Sequence, residues 1–247
     1  MKISIITSVY NNKETIEDAI KSVLSQSYDN IEYIIVDGGS SDGTLEIIEK
    51  YKNDIAHYIS EPDKGIYDGL NKGVQLATGD VVAFLHSDDI YASDTIIEDI
   101  AQEFQKSKVD GVYGDLIYTP KEDTTKILRY WKSKPFKPEM LKQGWMPAHP
   151  TLFLKKSVYD KYGTFDLNFK IAGDYDFMLR VLSAGISVSY LPQVFYKMRM
   201  GGASNKSLKN ILLKSREDLH ALQRNNVGGM GSLFIKNFSK VGQFLKK

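Results

Sequence analysis

The sequence predicts an α/β fold in which a mostly parallel central sheet is covered by helices on both faces. Three observations predict it. Short β-branched runs alternate with helical spacings through the first half of the chain. The early strands end in polar or acidic residues instead of tight hairpins. The 247 residues, 42% hydrophobic and 26% charged, suffice for one large ordered domain with a small appendage.

The elements follow in order. Residues 3–9 are apolar, β-branched and short, a buried strand; Asn11-Asn12 makes a turn, and 13–26 carries Ile16, Ala19, Ile20, Val23 and Leu24 at helical spacing. A second strand, 32–36, runs into Asp37-Gly38-Gly39-Ser40-Ser41-Asp42-Gly43, a loop by composition. Helix 44–51, strand 55–60, helix 65–77 and strand 81–85 continue the alternation, and Ser93-Asp94 suits the start of a helix over 95–105. Further on, strands are expected at 112–118, 127–132, 151–154, 188–191 and 194–198, with helices at 156–162 and 174–184 and a proline-rich loop over 133–150. From 208 the chain reads as helical up to Gly228-Gly229.

Bulk properties narrow the function. A net charge of +1 gives no global attraction to nucleic acid. The absence of cysteine excludes disulfides and thiolate metal sites and suits a reducing compartment. No run of about 18 apolar residues predicts a membrane span. The apolar run 3–9 leads into Asn11-Asn12-Lys13-Glu14 without a small-residue cleavage site. A soluble or peripherally attached protein is expected.

In parallel sheets, ligands gather at the carboxyl ends of the strands. Those ends here carry Thr7-Ser8-Val9-Tyr10, Asp37-Gly38-Gly39 and His86-Ser87-Asp88-Asp89, three polar tips on one rim. The paired acids Asp88 and Asp89 repel each other unless a cation or a hydrogen-bonding ligand lies against them, and an oxygen cluster suits Mn²⁺ or Mg²⁺ bridging to phosphates. The same acids also suit a solvated turn or a helix cap.

Together these motifs resemble the family 2 glycosyltransferases, inverting enzymes of the GT-A fold that use nucleotide-sugar donors. The resemblance spans about residues 1–205: Ile5-Ile6-Thr7-Ser8-Val9-Tyr10-Asn11 is similar to the family's first strand, and Val36-Asp37-Gly38-Gly39-Ser40-Ser41-Asp42-Gly43-Thr44 to its nucleotide loop. Asp63-Lys64-Gly65-Ile66-Tyr67-Asp68-Gly69-Leu70-Asn71-Lys72-Gly73 looks like a segment of the branch that decorates bacterial surface polysaccharides. His86-Ser87-Asp88 stands where the family has D-x-D, with histidine replacing the first acid. Ala172-Gly173-Asp174-Tyr175-Asp176 resembles the segment of the catalytic base, with Gly173 replacing the usual Glu.

The resemblance implies a domain over 1–205, divided into a nucleotide-binding half (1–110) and an acceptor half (111–205), followed by a helical extension over 206–247. It implies that Asp37 reads the nucleobase, that Thr7, Tyr10 and Lys72 line the donor pocket, and that His86 and Ser87 lie by the ribose. Asp88 would hold the metal with Asp89 in support, Arg199 and the loop through Ser204 would meet the diphosphate, and Asp174 would be the general base. His149 is expected at the acceptor; Asp176 is placed there too, although its spacing also suits an ion pair with Arg180. The implied partners are a nucleoside-diphosphate sugar and a saccharide or lipid-linked saccharide acceptor, in the cytoplasm or at the inner face of the cytoplasmic membrane. In 230–247, Leu233, Phe234, Phe238, Val241 and Leu245 fall near one helical face with Lys236, Lys240, Lys246 and Lys247 elsewhere, which suits an interfacial helix or a helix docked on the protein core. Two other readings stay open: a non-catalytic nucleotide-sugar-binding module, and a sugar nucleotidyltransferase, although no Gly-rich basic loop follows the first strand.

Overall fold

A computed structural model of the chain describes residues 1–201 and 208–239. Strands β1 (Ile3–Val9), β2 (Ile31–Asp37), β3 (His57–Ser60) and β4 (Val81–Phe84) pair in parallel in the order β3-β2-β1-β4. Between them run α1 (Ile16–Leu24), α2 (Thr44–Glu49) and α3 (Ile66–Leu76). After β4 come β5 (Ile90–Tyr91), α4 (Ile96–Ser107), β6 (Gly111–Thr119), β7 (Arg129–Trp131), β8 (Phe153–Lys155), α5 (Lys156–Tyr162), α6 (Gly173–Ser183) and β9 (Val188–Arg199). Helices α7 (Leu208–Arg224) and α8 (Met230–Ser239) follow.

The second half adds strands that depart from the parallel pairing of the first. β8 pairs antiparallel with both β4 and β6, β7 with β6 and β5 with β9; only β6 and β9 run parallel there. The result is one mixed nine-stranded sheet shared by both halves. The two strands expected at 188–191 and 194–198 are one, β9, whose register against β6 shifts between Tyr113 and Leu116. A bulge of this kind absorbs Pro192-Gln193 without ending the ladder.

Strand periodicity divides the core between the two faces of the sheet. On β1 and β2, Ile6, Ile34 and Val36 join a cluster with Leu70 of α3, Val158 of α5, Phe177 of α6 and Leu222 of α7. Their neighbours Ile5, Tyr33 and Ile35 face the other way, onto Ile16 and Ile20 of α1 and Ile97 and Ile100 of α4. Both sides are therefore dry, which is why β1 and β2 read as continuous apolar runs. Helix α3 approaches β1 closely because Gly73 has no side chain: a Cβ there would stand 2.3 Å from Ile6 Cγ2.

One buried carboxylate ties the amino-terminal edge together. Glu32, 2% exposed, accepts from Lys2 Nζ (2.6 Å), Ser4 Oγ (2.6 Å), Thr78 N (2.7 Å) and Thr78 Oγ1 (2.6 Å). Burial alone raises its pKa, but these bonds outweigh burial and bring it from 4.5 down to about 2. Its stabilisation is thus complete above pH 4.5 and is lost as pH falls toward 2. Glu32→Gln is expected to cost about 2 kcal/mol in urea unfolding at pH 7, with the difference from wild type shrinking below pH 4.5.

Helix α8 docks on the core, by a face other than the one its pattern suggests. Leu233 enters the core and Lys236 is buried, whereas Met230, Phe234 and Ile235 are exposed. Lys236 Nζ lies 2.7 Å from Asp218 of α7 and 3.1 Å from the ring centroid of Tyr175. The lysine expected on the polar face is therefore internal. The side chain of Phe238, and Lys240, Val241, Leu245, Lys246 and Lys247, lie outside the described residues.

Candidate active site

The rim is assembled by asparagines that the sequence marked only as a turn. Asn11, at φ 48°, donates its N–H to Ser40 Oγ (2.8 Å) and accepts from Ser41 N (2.9 Å). Asn12 donates to Ser87 Oγ (2.8 Å), and Thr15 donates to the Ser87 carbonyl (3.0 Å). The loop after β1 thus bonds both the loop after β2 and the turn after β4. Tyr10 stands beside it, 64% exposed, with its ring open to a ligand.

Asp37 closes β2 and is fully buried. Its Oδ2 accepts from Gly39 N (2.9 Å), Ser40 N (2.9 Å) and Ser60 Oγ (2.7 Å), which shapes the loop. Oδ1 has no hydrogen-bond partner, the condition of an acceptor kept for a ligand donor. Asp42 caps the turn separately through Thr44 N (3.0 Å) and Oγ1 (2.6 Å). Thr7 does not line this pocket: it faces the α1 side, with Oγ1 3.1 Å from Tyr33 Oη. Its neighbour Ser8 points to the rim side, with Oγ 2.3 Å from where a Cβ on Gly69 would stand. Asp63 Oδ2 lies 2.6 Å from the corresponding point on Gly38, so two glycines make room for Ser8 and Asp63. Sequence reasoning missed both residues; the strand's period of two was the available signal for Ser8.

Lys72 is engaged within the protein. Its ammonium meets Glu61 (2.8 Å), the Pro62 carbonyl (3.2 Å) and Asp68 (3.8 Å), and the bond to Glu61 raises its pKa despite the opposing effect of burial. It braces the loop that carries Asp63.

The four residues after Leu85 form a turn closed by Asp89 N donating to the His86 carbonyl (3.0 Å). The paired acids then part. Asp89 is 1% exposed and accepts from Arg199 N (3.1 Å), while its Oδ2 has no hydrogen-bond partner. Burial, followed by the charge of Asp88, raises its pKa well above the ordinary value, and it stands as an internal partner of the Arg199 backbone. Arg199 is likewise committed elsewhere. Its guanidinium donates to the Asp88 carbonyl (2.9 Å), the Lys121 carbonyl (3.0 Å) and Asp18 (2.5 Å), anchoring the turn from behind instead of facing a diphosphate. Gly202-Ala203-Ser204, expected beside it, lie outside the described residues. Of the two acids, Asp88 is the one left partly exposed. Among the described residues no cluster of three His, Cys, Asp or Glu side chains forms a complete metal site.

The acceptor-side residues come to the same place. His149 stacks on Phe84 (centroids 5.5 Å, 27°), meets Phe165 edge-on (5.5 Å), and lies 6.4 Å from the His86 ring. Burial lowers its pKa to about 4 against the opposing charge of Asp174. Burial also lowers that of His86, against Asp88 and Asp174. Both imidazoles are thus neutral at pH 7, within the field of two acids. Asp174 sits in the first turn of α6, half-buried, with Oδ1 3.2 Å from Tyr67 Oη. Asp176 does not reach the cleft: it is 1% exposed and accepts from Asn225 Nδ2 (2.9 Å), with Arg180 3.8 Å away. The structure therefore brings together His86, Asp88, His149 and Asp174, and leaves Thr7, Asp89, Asp176 and Arg199 as supports.

The profile described as "Glycosyl transferase family 2" matches residues 4–163. The UDP-Glc:alpha-D-GlcNAc-diphosphoundecaprenol beta-1,3-glucosyltransferase WfaP of Escherichia coli is 30% identical over 218 residues, covering 86% of this chain and 84% of that protein. Among solved structures, S. aureus TarS 1-349 in complex with UDP-GlcNAc has a TM-score of 0.70 at 18% identity, over 90% of this chain and 66% of that one. This chain spans 40% of the longer TarS chain. The mannosyltransferase PcManGT from Pyrobaculum calidifontis, in complex with GDP-Man and Mn²⁺, has a TM-score of 0.66 at 16% identity, over 97% of this chain and 73% of that one. The two structural likenesses show a shared fold.

Proposed function

We propose, since this chain belongs to glycosyl transferase family 2, that it moves a sugar from a nucleoside-diphosphate sugar to an acceptor hydroxyl with inversion at the anomeric carbon. The observation that carries this reading is the meeting of Asp88 and Asp174 around two neutral imidazoles, at the end of the strands that also present Asp37. Asp37 Oδ1 would accept a proton of the nucleobase, and Tyr10 would stack on it. Asp174 would take the acceptor's proton as general base, and attack from the face opposite the leaving diphosphate inverts the centre. No covalent intermediate is needed.

Asp88 is the residue that would hold a divalent cation. Among the described residues no donor bonds its carboxylate, and Mg²⁺ or Mn²⁺ needs only one or two protein carboxylates when substrate phosphates and water complete its shell. Such an ion supplies positive charge beside the departing nucleoside diphosphate.

The relatives support a role in bacterial cell-surface glycan synthesis, with a lipid-linked acceptor of the kind named for WfaP. Among the described residues no helix is long and apolar enough to cross a membrane. The outward residues Met230, Phe234 and Ile235 of α8 support peripheral contact with the membrane bearing such an acceptor. The test is a donor panel of UDP-glucose, UDP-GlcNAc and GDP-mannose with Mn²⁺ or Mg²⁺, with and without a diphosphoundecaprenol-linked sugar, followed by release of nucleoside diphosphate. Turnover of one donor, abolished by EDTA, is expected. Donors that bind and are never consumed, even with the lipid-linked acceptor, would make the chain a binding module.

A further inference from the structure

The segment Tyr67-Asp68-Gly69-Leu70-Asn71-Lys72-Gly73 fills most of α3, yet the chemistry above uses none of its side chains. Its contacts give it a purpose. Asn71 clamps the backbone of Phe165 from both sides, donating Nδ2 to the carbonyl (2.8 Å) and accepting from the N–H (2.9 Å). One turn earlier, Tyr67 stacks on the Phe165 ring (5.6 Å, 29°) and donates its hydroxyl to the Ile171 carbonyl (2.7 Å). The same oxygen lies 3.2 Å from Asp174 Oδ1. The ring of Tyr67 occupies the space a side chain at 173 would need: a Cβ on Gly173 would stand 2.9 Å and 3.0 Å from its carbons. A ring fixed at both ends, by stacking and by hydrogen bonding, does not yield to such a contact.

We infer that Tyr67 is a positioning residue for Asp174, and that Gly173 is glycine because the Tyr67 ring stands where an acid at that position would lie. The phenol shares its one proton between the Ile171 carbonyl and, at longer range, Oδ1, and this contact restricts rotation of the Asp174 carboxylate. It also carries the link between halves, since α3 packs on β1 of the nucleotide side while its hydroxyl reaches the start of α6. Tyr67 is buried, and burial followed by the Asp174 charge raises its pKa, so it acts as a neutral donor throughout the working range.

The inference rests on the reading of Asp174 as general base, and the experiment separates the two. Tyr67→Phe keeps the ring and removes the hydroxyl; Asp174→Asn is measured beside it with the nucleotide sugar selected by the donor panel. The expected result for Tyr67→Phe is about a tenfold loss of kcat, with donor KM close to wild type and a modestly lower thermal midpoint, because the Ile171 carbonyl loses its donor. Unchanged kcat in Tyr67→Phe, with Asp174→Asn inactive, would overturn the positioning role and leave the base in place. A loss of stability with kcat of the folded fraction and donor KM both unchanged would also overturn it, as a purely structural role. Full activity in Asp174→Asn would remove the base reading, and this inference with it. As an independent check of the packing, Gly173→Ala should lower the thermal midpoint of wild type more than that of the Tyr67→Ala variant.

Discussion

Asp174→Asn yields a folded protein that binds its donor with unchanged affinity and turns over about 10²–10⁴-fold more slowly. An acid in the first turn of a helix often serves only the helix, and the structure separates the two roles. α6 starts at Ala172 with no side-chain capping bond, and the one hydrogen-bond contact described for the Asp174 carboxylate is with Tyr67 of another helix. Losing its charge beside the helix dipole should therefore cost about 0.5 kcal/mol. That is small beside the roughly 3–6 kcal/mol that such a rate loss represents at about 1.4 kcal/mol per tenfold. Donor binding by isothermal titration, thermal midpoint and release of nucleoside diphosphate, measured together, decide between them. A destabilised variant with proportionate activity would assign Asp174 to the helix alone.

Lys236→Ala should lower global stability by about 3–5 kcal/mol, the usual consequence of removing one member of a buried ion pair. Lys236 is 2% exposed, and its ammonium lies between Asp218 and the Tyr175 ring. Burial favours the neutral acid at Asp218, but Lys236, and Lys214 at 3.0 Å, hold its pKa below the ordinary range. With Lys236 gone, Asp218 keeps one cation on one oxygen, and the other oxygen is left in a dry site. Chemical denaturation reads the loss. Hydrogen exchange should show the amides of α8 opening first, since Leu233 is the main apolar anchor of that helix. The double change Asp218→Asn with Lys236→Met should be less damaging than Lys236→Ala alone; equal losses would show that packing, not charge, holds the helix.

The parts of this molecule legible in the sequence are those whose signal is local. β1, β2 and β4 are apolar on both faces, so their composition alone marks them, and Asp37, Asp88 and Asp174 stand out where strands end or a helix begins. What was not legible depends on partners distant in the chain. The antiparallel insertion of β8 between β4 and β6 is a choice of neighbour that no local pattern encodes. Thr7 failed by one residue: in a strand that shift exchanges one face of the sheet for the other, and Ser8 occupies the rim side. Asp89 and Arg199 had residue types suited to the site, but Asp89 bonds the backbone N–H of Arg199, 110 positions on, and the guanidinium reaches the Asp88 carbonyl and Asp18. Tyr67 and Asp174 are 107 positions apart, so the contact that explains Gly173 becomes visible only in three dimensions.

The low pKa of His149 has a consequence for which form of the donor enters. With His149 neutral above about pH 4, and His86 shifted in the same direction, neither ring offers a positive charge near Asp88 and Asp174. Lys72 and Arg199 already spend theirs on protein oxygens. Among the described residues these nearby cations are thus engaged, and a bare pyrophosphate linkage would meet the carboxylates uncompensated. On the role proposed for Asp88, the donor would be admitted as its magnesium or manganese complex. Free metal concentration would govern how often productive collisions occur, so that a shortage appears first as weakened apparent affinity and only later as a slower maximal rate.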